Sequence, residues 1–226
     1  MKRILLALAS ALALTASVEA SEYVHPKLTA GTLRIRRIAV LPAKIDVQRS
    51  GARGGESMIA ESEAIADAVG ALISKLFSSL GFTIVEDPMR TAVDQSADER
   101  RTAIGSLQSR FDAFAPQIMS NPKDVTKGRF SLGDDVGELL SDAADAVVFV
   151  RGSGFVATTG KRLLTAAMGV SAPKGMLSCD VIVMDARSGD ILFLASTTRV
   201  GDFVKQNGRQ LEKPLAKSLK KMPVGS

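Results

Sequence analysis

The stretch Gly152-Ser153-Gly154-Phe155-Val156-Ala157-Thr158-Thr159-Gly160-Lys161-Arg162 is the first place in this chain where residue types and spacing suggest chemistry. Glycines followed by a lysine, between an apolar strand and a helix, are the ingredients of a phosphate-binding loop, whose backbone N–H groups cradle an anion. The spacing departs from that pattern. Five residues separate Gly154 from Gly160 where four are needed, and Arg162 stands where a magnesium-binding serine or threonine is required. The expected reading is a tight exit from the strand, with Lys161 and Arg162 holding a small anion or nucleotide on 152–162 as the alternative. Nucleophilic catalysis finds less support. The only histidine, His25, lies near the start of the chain, so a serine or cysteine nucleophile lacks the usual base. The only cysteine, Cys179, falls in an apolar run and reads as a small buried hydrophobe.

One cysteine and one histidine provide no ordinary zinc spacing and no internal disulfide. Carboxylates are more plentiful. Asp134, Asp135, Glu138, Asp142 and Asp145 crowd one helical stretch, where acidic residues in the first turn suit the helix dipole and the rest form a solvated face. They match no calcium loop, which needs alternating acidic residues, a central glycine and a terminal glutamate. Asp185 and Asp190 flank a turn and Asp180 lies in a strand, so turn chemistry and solvation account for them. The sequence therefore leads to no catalytic residue, no cofactor and no metal site.

The elements that position these residues follow from periodicity. Ala146-Val147-Val148-Phe149-Val150 is apolar throughout, as expected of a central strand covered on both faces. Residues 177–185 and 190–198 are two further strands joined at Ala186-Arg187-Ser188-Gly189, a hairpin. Ahead of them, Ile38 to Leu41 form a short interior strand stopped by Pro42. Residues 44–56, rich in glycine and arginine, read as a flexible loop. Ile65, Val69, Leu72, Leu76 and Leu80 mark a helix over 57–80 that Gly81 stops, and residues 82–86 resume as a strand. Ser96 and Glu99 have capping-box spacing for a second helix, which Pro116 should end or kink; residues 121–129 read as a loop. Ser131 caps a third, with Leu132, Val136, Leu139, Leu140 and Ala143 on one side. Leu211, Leu215 and Leu219 mark a closing helix with Pro214 in its first turn. The result is an α/β fold: a mixed sheet covered by helices, with a late β-hairpin and a C-terminal helix.

Length and charge bound the rest. Met1-Lys2-Arg3, the apolar run Ile4 to Ala16 and Val18-Glu19-Ala20 read as a secretory signal peptide over 1–20. Residues 21–34 read as an extended polar arm, with His25 in it, and 35–222 as a single α/β domain. Ser21 stands where a lipoprotein would carry cysteine, so the expectation is a periplasmic protein, soluble after cleavage. The full chain has a formal net charge of +5 and no tryptophan, and its basic residues are scattered, which disfavours nucleic acid as a partner. Arg34, Arg36 and Arg37 are the densest basic cluster and read as a solvated strand edge. Membrane contact, if any, is peripheral, through the short helix after Gly160.

Two motifs carry a resemblance. Ala144-Asp145-Ala146 leading into the apolar strand, and Asp185-Ala186-Arg187-Ser188-Gly189-Asp190 between the last two strands, resemble bacterial envelope domains related to the curli-secretion lipoprotein and to the amino-terminal domain of the Tol–Pal propeller protein. That resemblance implies a non-enzymatic α/β domain in the cell envelope with an envelope or secretion-related protein as its partner. Residues 153–174 lack the sustained two-residue alternation of a pore-forming hairpin, so a scaffold or adaptor is expected rather than a secretion pore.

Overall fold

The computed structural model describes residues 21–51, 54–86, 97–133, 144–169 and 173–223. The signal-peptide segment, Ser96 and most of the helix expected after Ser131 lie outside them. Strands β1 (Ser21–Val24), β2 (Arg37–Val40), β3 (Lys44–Gly51), β4 (Gly54–Ser57), β5 (Thr83–Val85), β6 (Ala146–Ala157), β7 (Gly175–Asp185) and β8 (Ile191–Val200) form one sheet. Its order is β1-β8-β7-β6-β2-β5, with β3 also paired to β6 and β4 to β3. The β2–β5, β2–β6 and β3–β6 pairs are parallel and the rest antiparallel. Among the described residues the α-helices are a one-turn α1 (Pro26–Thr29), α2 (Ile59–Ser79), α3 (Ala97–Ser120), α4 (Thr159–Ala167) and α5 (Glu212–Leu219). The mixed α/β architecture, the late hairpin and the C-terminal helix are those expected from periodicity.

Alternation along the strands assigns side chains to two cores. On one face Val148, Val150, Cys179, Val181, Val183 and Ala195 pack against Ile65, Val69, Ile73 and Phe77 of α2 and Leu215 and Leu219 of α5. On the other, Val147, Phe149, Ile182, Met184 and Leu194 pack against Leu107, Phe111, Ala115 and Ile118 of α3. The Phe111 and Phe149 rings stack there with centroids 4.0 Å apart. Each fully buried aliphatic or aromatic side chain contributes about 1.5–3 kcal/mol, so this two-sided burial is what holds β6 at the centre. Helix α2 ends where its sequence says it should. Gly81 takes φ +93°, and Phe82 turns back so that its N–H meets the Phe77 carbonyl at 3.1 Å and its ring meets the Phe77 ring edge-on.

Four expectations are corrected. Residues 21–34 are not an arm outside the fold: Ser21–Val24 pairs with β8, and His25, 4% exposed, caps α1 with its Nδ1 accepting from the Lys27 N–H at 3.0 Å. Of residues 44–56, 44–51 and 54–56 are strand and not loop, because Ile45 and Val47 alternate inward, residues 44–50 run parallel to the distal half of β6, and β4 pairs back on β3. Gly152 to Ala157 do not leave the sheet; they extend β6 to twelve residues, paired on both sides. Residues 121–129 are not a loop throughout: α3 continues past Pro116, its expected end or kink, to Ser120, and a 3-10 helix, Pro122–Lys127, follows. The first three share a cause: long-range pairing partners override local composition.

Candidate functional site

The two motifs that carry the envelope resemblance are structural clips. The Asp145 carboxylate accepts hydrogen bonds from the Arg36 and Arg37 N–H groups at 3.0 and 2.9 Å and from the Arg37 guanidinium at 2.7 Å, tying the start of β6 to the start of β2. Burial works against its ionisation, but those three donors prevail and hold the carboxyl below its ordinary value. Asp185 accepts from the Arg187 and Ser188 N–H groups at 2.8 and 2.9 Å, closing the hairpin turn, while Gly189 takes φ +69°. Asp190 pairs instead with Lys27 at 2.7 Å. Of the Arg34, Arg36 and Arg37 cluster, Arg37 belongs to the Asp145 clip.

The glycine-rich stretch is built for close packing. A β-carbon on Gly152 would lie 2.9 Å from the Ser178 carbonyl oxygen and 3.1 Å from Ile45, and one on Gly154 would lie 2.9 Å from Phe203. The glycines let β6 approach its neighbours and the Phe203 ring. With 152–157 in the ladder, their N–H groups form no anion cradle. Lys161 bonds to the Ser50 hydroxyl, and Arg162 is exposed on α4. Cys179 is fully buried, and burial followed by the nearby Asp180 charge pushes its thiol well above the ordinary range, so it stays protonated. Asp134, Asp135, Glu138 and Asp142 lie outside the described residues. Among the described residues no three histidine, cysteine, aspartate or glutamate side chains group as metal ligands.

The feature that sequence reasoning missed is the sheet surface beyond α3. On the α3 face the distal halves of β3, β6, β7 and β8 form three cross-strand rows. The first is Lys44, Arg151, Asp180 and Ser196; the second is Asp46, Ser153, Ser178 and Thr198; the third is Gln48, Phe155, Met176 and Val200. Helix α3 reaches the first row, where Asp112 meets Lys44 at 2.9 Å and Arg151 at 3.5 Å. Beyond it Asp46, Gln48 and Ser153 are exposed, Val200 is 54% exposed, and Phe155, Met176, Ser178 and Thr198 are half-buried. Phe155 and Met176 belong to neither apolar core.

The surface is polar and ordered near its centre. Ser178 and Thr198 share a hydrogen bond of 2.8 Å, and the Ser196 hydroxyl donates to Asp180. Burial raises the Asp180 carboxyl above its ordinary value, and the Ser196 bond and the Arg151 charge offset only part of that. Beside the rows a shallow groove of about 420 Å³ at the start of α2 is lined by Lys44, Arg151, Asp46 and Glu63 among others. Two acids balance two bases there, which gives an anion no net attraction. The one signal for the rows in the sequence is the alternation Lys44/Asp46/Gln48 against Ile45/Val47, and it becomes visible once residues 44–51 are known to be a strand.

No protein-family model matches the chain, and neither does any curated protein. Among solved structures it is similar to the PelC dodecamer from Paraburkholderia phytofirmans, with 11% identity over 91% of this chain and 97% of that one and a TM-score of 0.38. A point variant of the same dodecamer gives 10% identity, 91% and 98% coverage and a TM-score of 0.39. The lipoprotein GNA1162 from Neisseria meningitidis gives 12% identity, 81% and 98% coverage and a TM-score of 0.31. At TM-scores this low the likenesses carry no argument about binding, assembly or activity.

Proposed function

We propose that this protein is a non-enzymatic interaction module of the bacterial cell envelope that seats a partner protein on the distal half of its sheet. The observation that supports this reading is the open, registered surface of the second and third rows. It places an apolar strip, Phe155, Met176 and Val200, beside a polar strip, Asp46, Ser153, Ser178 and Thr198. An apolar core with a polar rim is the anatomy of a protein–protein interface, and a rigid sheet holds it without ordering cost. The leader-like start of the chain and the envelope resemblance make an envelope or secretion-related protein the expected occupant. The rival reading, a small anion held on 152–162, loses its cradle because those glycines lie in a paired strand.

The test is site-specific photo-crosslinking in the native envelope, with the photoreactive residue placed at Phe155, at Met176 and, as a control, at Lys75 on the exposed side of α2. One adduct, common to Phe155 and Met176, absent from Lys75 and identified by mass spectrometry as an envelope protein, is the expected result. Adducts that are the same at all three positions, or none at Phe155 and Met176, would overturn the assignment of this surface.

A further inference from the structure

Helix α4 is amphipathic and docked with its polar side inward. At about 100° per residue, Leu163, Leu164 and Ala167 share one side of it and Lys161, Thr165 and Arg162 the other, while Met168, the C-cap seven residues after Lys161, sits at the boundary between them. An amphipathic helix of a soluble domain turns its apolar side to the core. Here Lys161 and Thr165 are the half-buried members and Lys161 is bonded to Ser50 of β3, while Leu163 is 67%, Leu164 54% and Met168 64% exposed. No residue of α4 is buried. The helix is nonetheless fixed to the sheet. Thr158 caps it by accepting from the Lys161 N–H at 3.2 Å, and the Thr158 N–H meets the Ser50 carbonyl at 3.1 Å.

We propose that α4 is a lipid-docking element that lays Leu163, Leu164 and Met168 into the surface of an anionic phospholipid membrane. Charge decides the occupant. Between Arg151 and Asp180 the chain carries Lys161, Arg162 and Lys174 and no acidic residue, and both Arg162 and Lys174 are exposed. An apolar strip in a segment that carries cations and no acid complements acyl chains beneath anionic headgroups. Packing against α4 of a second copy would instead bring like charges together with no acid from this segment to pair them. The contact is peripheral, since no helix among the described residues is long and apolar enough to cross a membrane. Ser50, which anchors α4, follows Gln48 on the same sheet face, so α4 adjoins the Phe155, Met176 and Val200 row, and the vesicle experiment reads lipid contact whatever partner that row takes.

Cosedimentation of the secreted protein with vesicles tests this, using phosphatidylglycerol mixed with phosphatidylcholine against phosphatidylcholine alone. The chain has no tryptophan, so Met168→Trp supplies a single reporter of the tip. The expected result is binding to the anionic vesicles only, with a blue shift of the Met168→Trp emission. The double change Leu163→Asp, Leu164→Asp should weaken binding at least about tenfold, and Arg162→Gln about fivefold. Both alter exposed side chains, so the melting temperature should not move. The proposal fails if the protein stays in solution with both vesicle types or if the double variant binds as well as the original. It fails also if, without vesicles, the double variant lowers the sedimentation-equilibrium mass, because the apolar side would then belong to a second copy.

Discussion

Replacing Gly152 by alanine separates a strand glycine from a loop glycine. The new β-carbon would sit 2.9 Å from the Ser178 carbonyl oxygen and 3.1 Å from Ile45, against an optimum of about 3.5–4.0 Å. The Ser178 oxygen is backbone in β7, which is paired on both sides, so it cannot retreat without moving the sheet. Overpacking of this kind costs about 1–3 kcal/mol. Removing a glycine's freedom from the unfolded chain returns about 0.4–1 kcal/mol. The steric cost wins, leaving a net loss of about 1.3 kcal/mol, which in a domain of this size lowers Tm by about 3–5 °C. Gly160 is the matched control. It lies in the first turn of α4 with nothing within 4 Å of a new β-carbon, so Gly160→Ala should leave Tm unchanged or raise it by about 1–4 °C. Thermal melts followed by circular dichroism in one buffer give both values. A Gly152→Ala protein melting within about 1 °C of the parent would refute the close-packing argument, and with it the placing of 152–157 in the sheet.

Two further predictions concern protons. Burial raises the Asp180 carboxyl, so its ionisation is disfavoured by folding; the penalty is absent below the unfolded value near 3.8 and grows as pH rises through the folded one. Asp180→Asn keeps an acceptor for the Ser196 hydroxyl and should melt higher than the parent at pH 7, the gap closing toward pH 3–4, as pH-dependent melts will show. His25 is shifted the other way: burial lowers it, against the raising effect of Asp190 and alongside the lowering effect of Lys27. Its stabilising effect is complete above the unfolded value near 6.5 and is lost as pH falls through it toward the lower folded one. The protection factor of the His25 amide, bonded to the Leu192 carbonyl at 2.8 Å, should therefore fall between pH 7 and 5, even as the intrinsic exchange rate slows; unchanged protection would refute the role given to His25.

What could be read from the chain alone divides along a physical line. The strand through Ala146 to Val150, the hairpin at 186–189 and helix α2 carry their evidence locally, in runs of apolar residues with a definite period and in the residues that stop them. Strand β3 does not. Only Ile45 and Val47 in it are apolar and buried, and its Arg49-Ser50-Gly51 end has loop composition; the parallel partner that makes it a strand lies about a hundred residues further on. The glycines at 152 and 154 gave the same difficulty in reverse. A glycine kept for close approach and a glycine kept for backbone freedom are identical in a sequence, and the Phe203 ring that tells them apart at Gly154 is fixed by tertiary packing. Helix α4 is the sharpest case. Its amphipathic pattern is legible, but pattern alone assigns the apolar side to the core, and only the Ser50 contact with Lys161 shows that the polar side took that place. The lipid surface is inferred from that inversion: three large apolar side chains held outward by a cap and a backbone tether, in a segment that carries no negative charge, have no satisfied environment within the described fold.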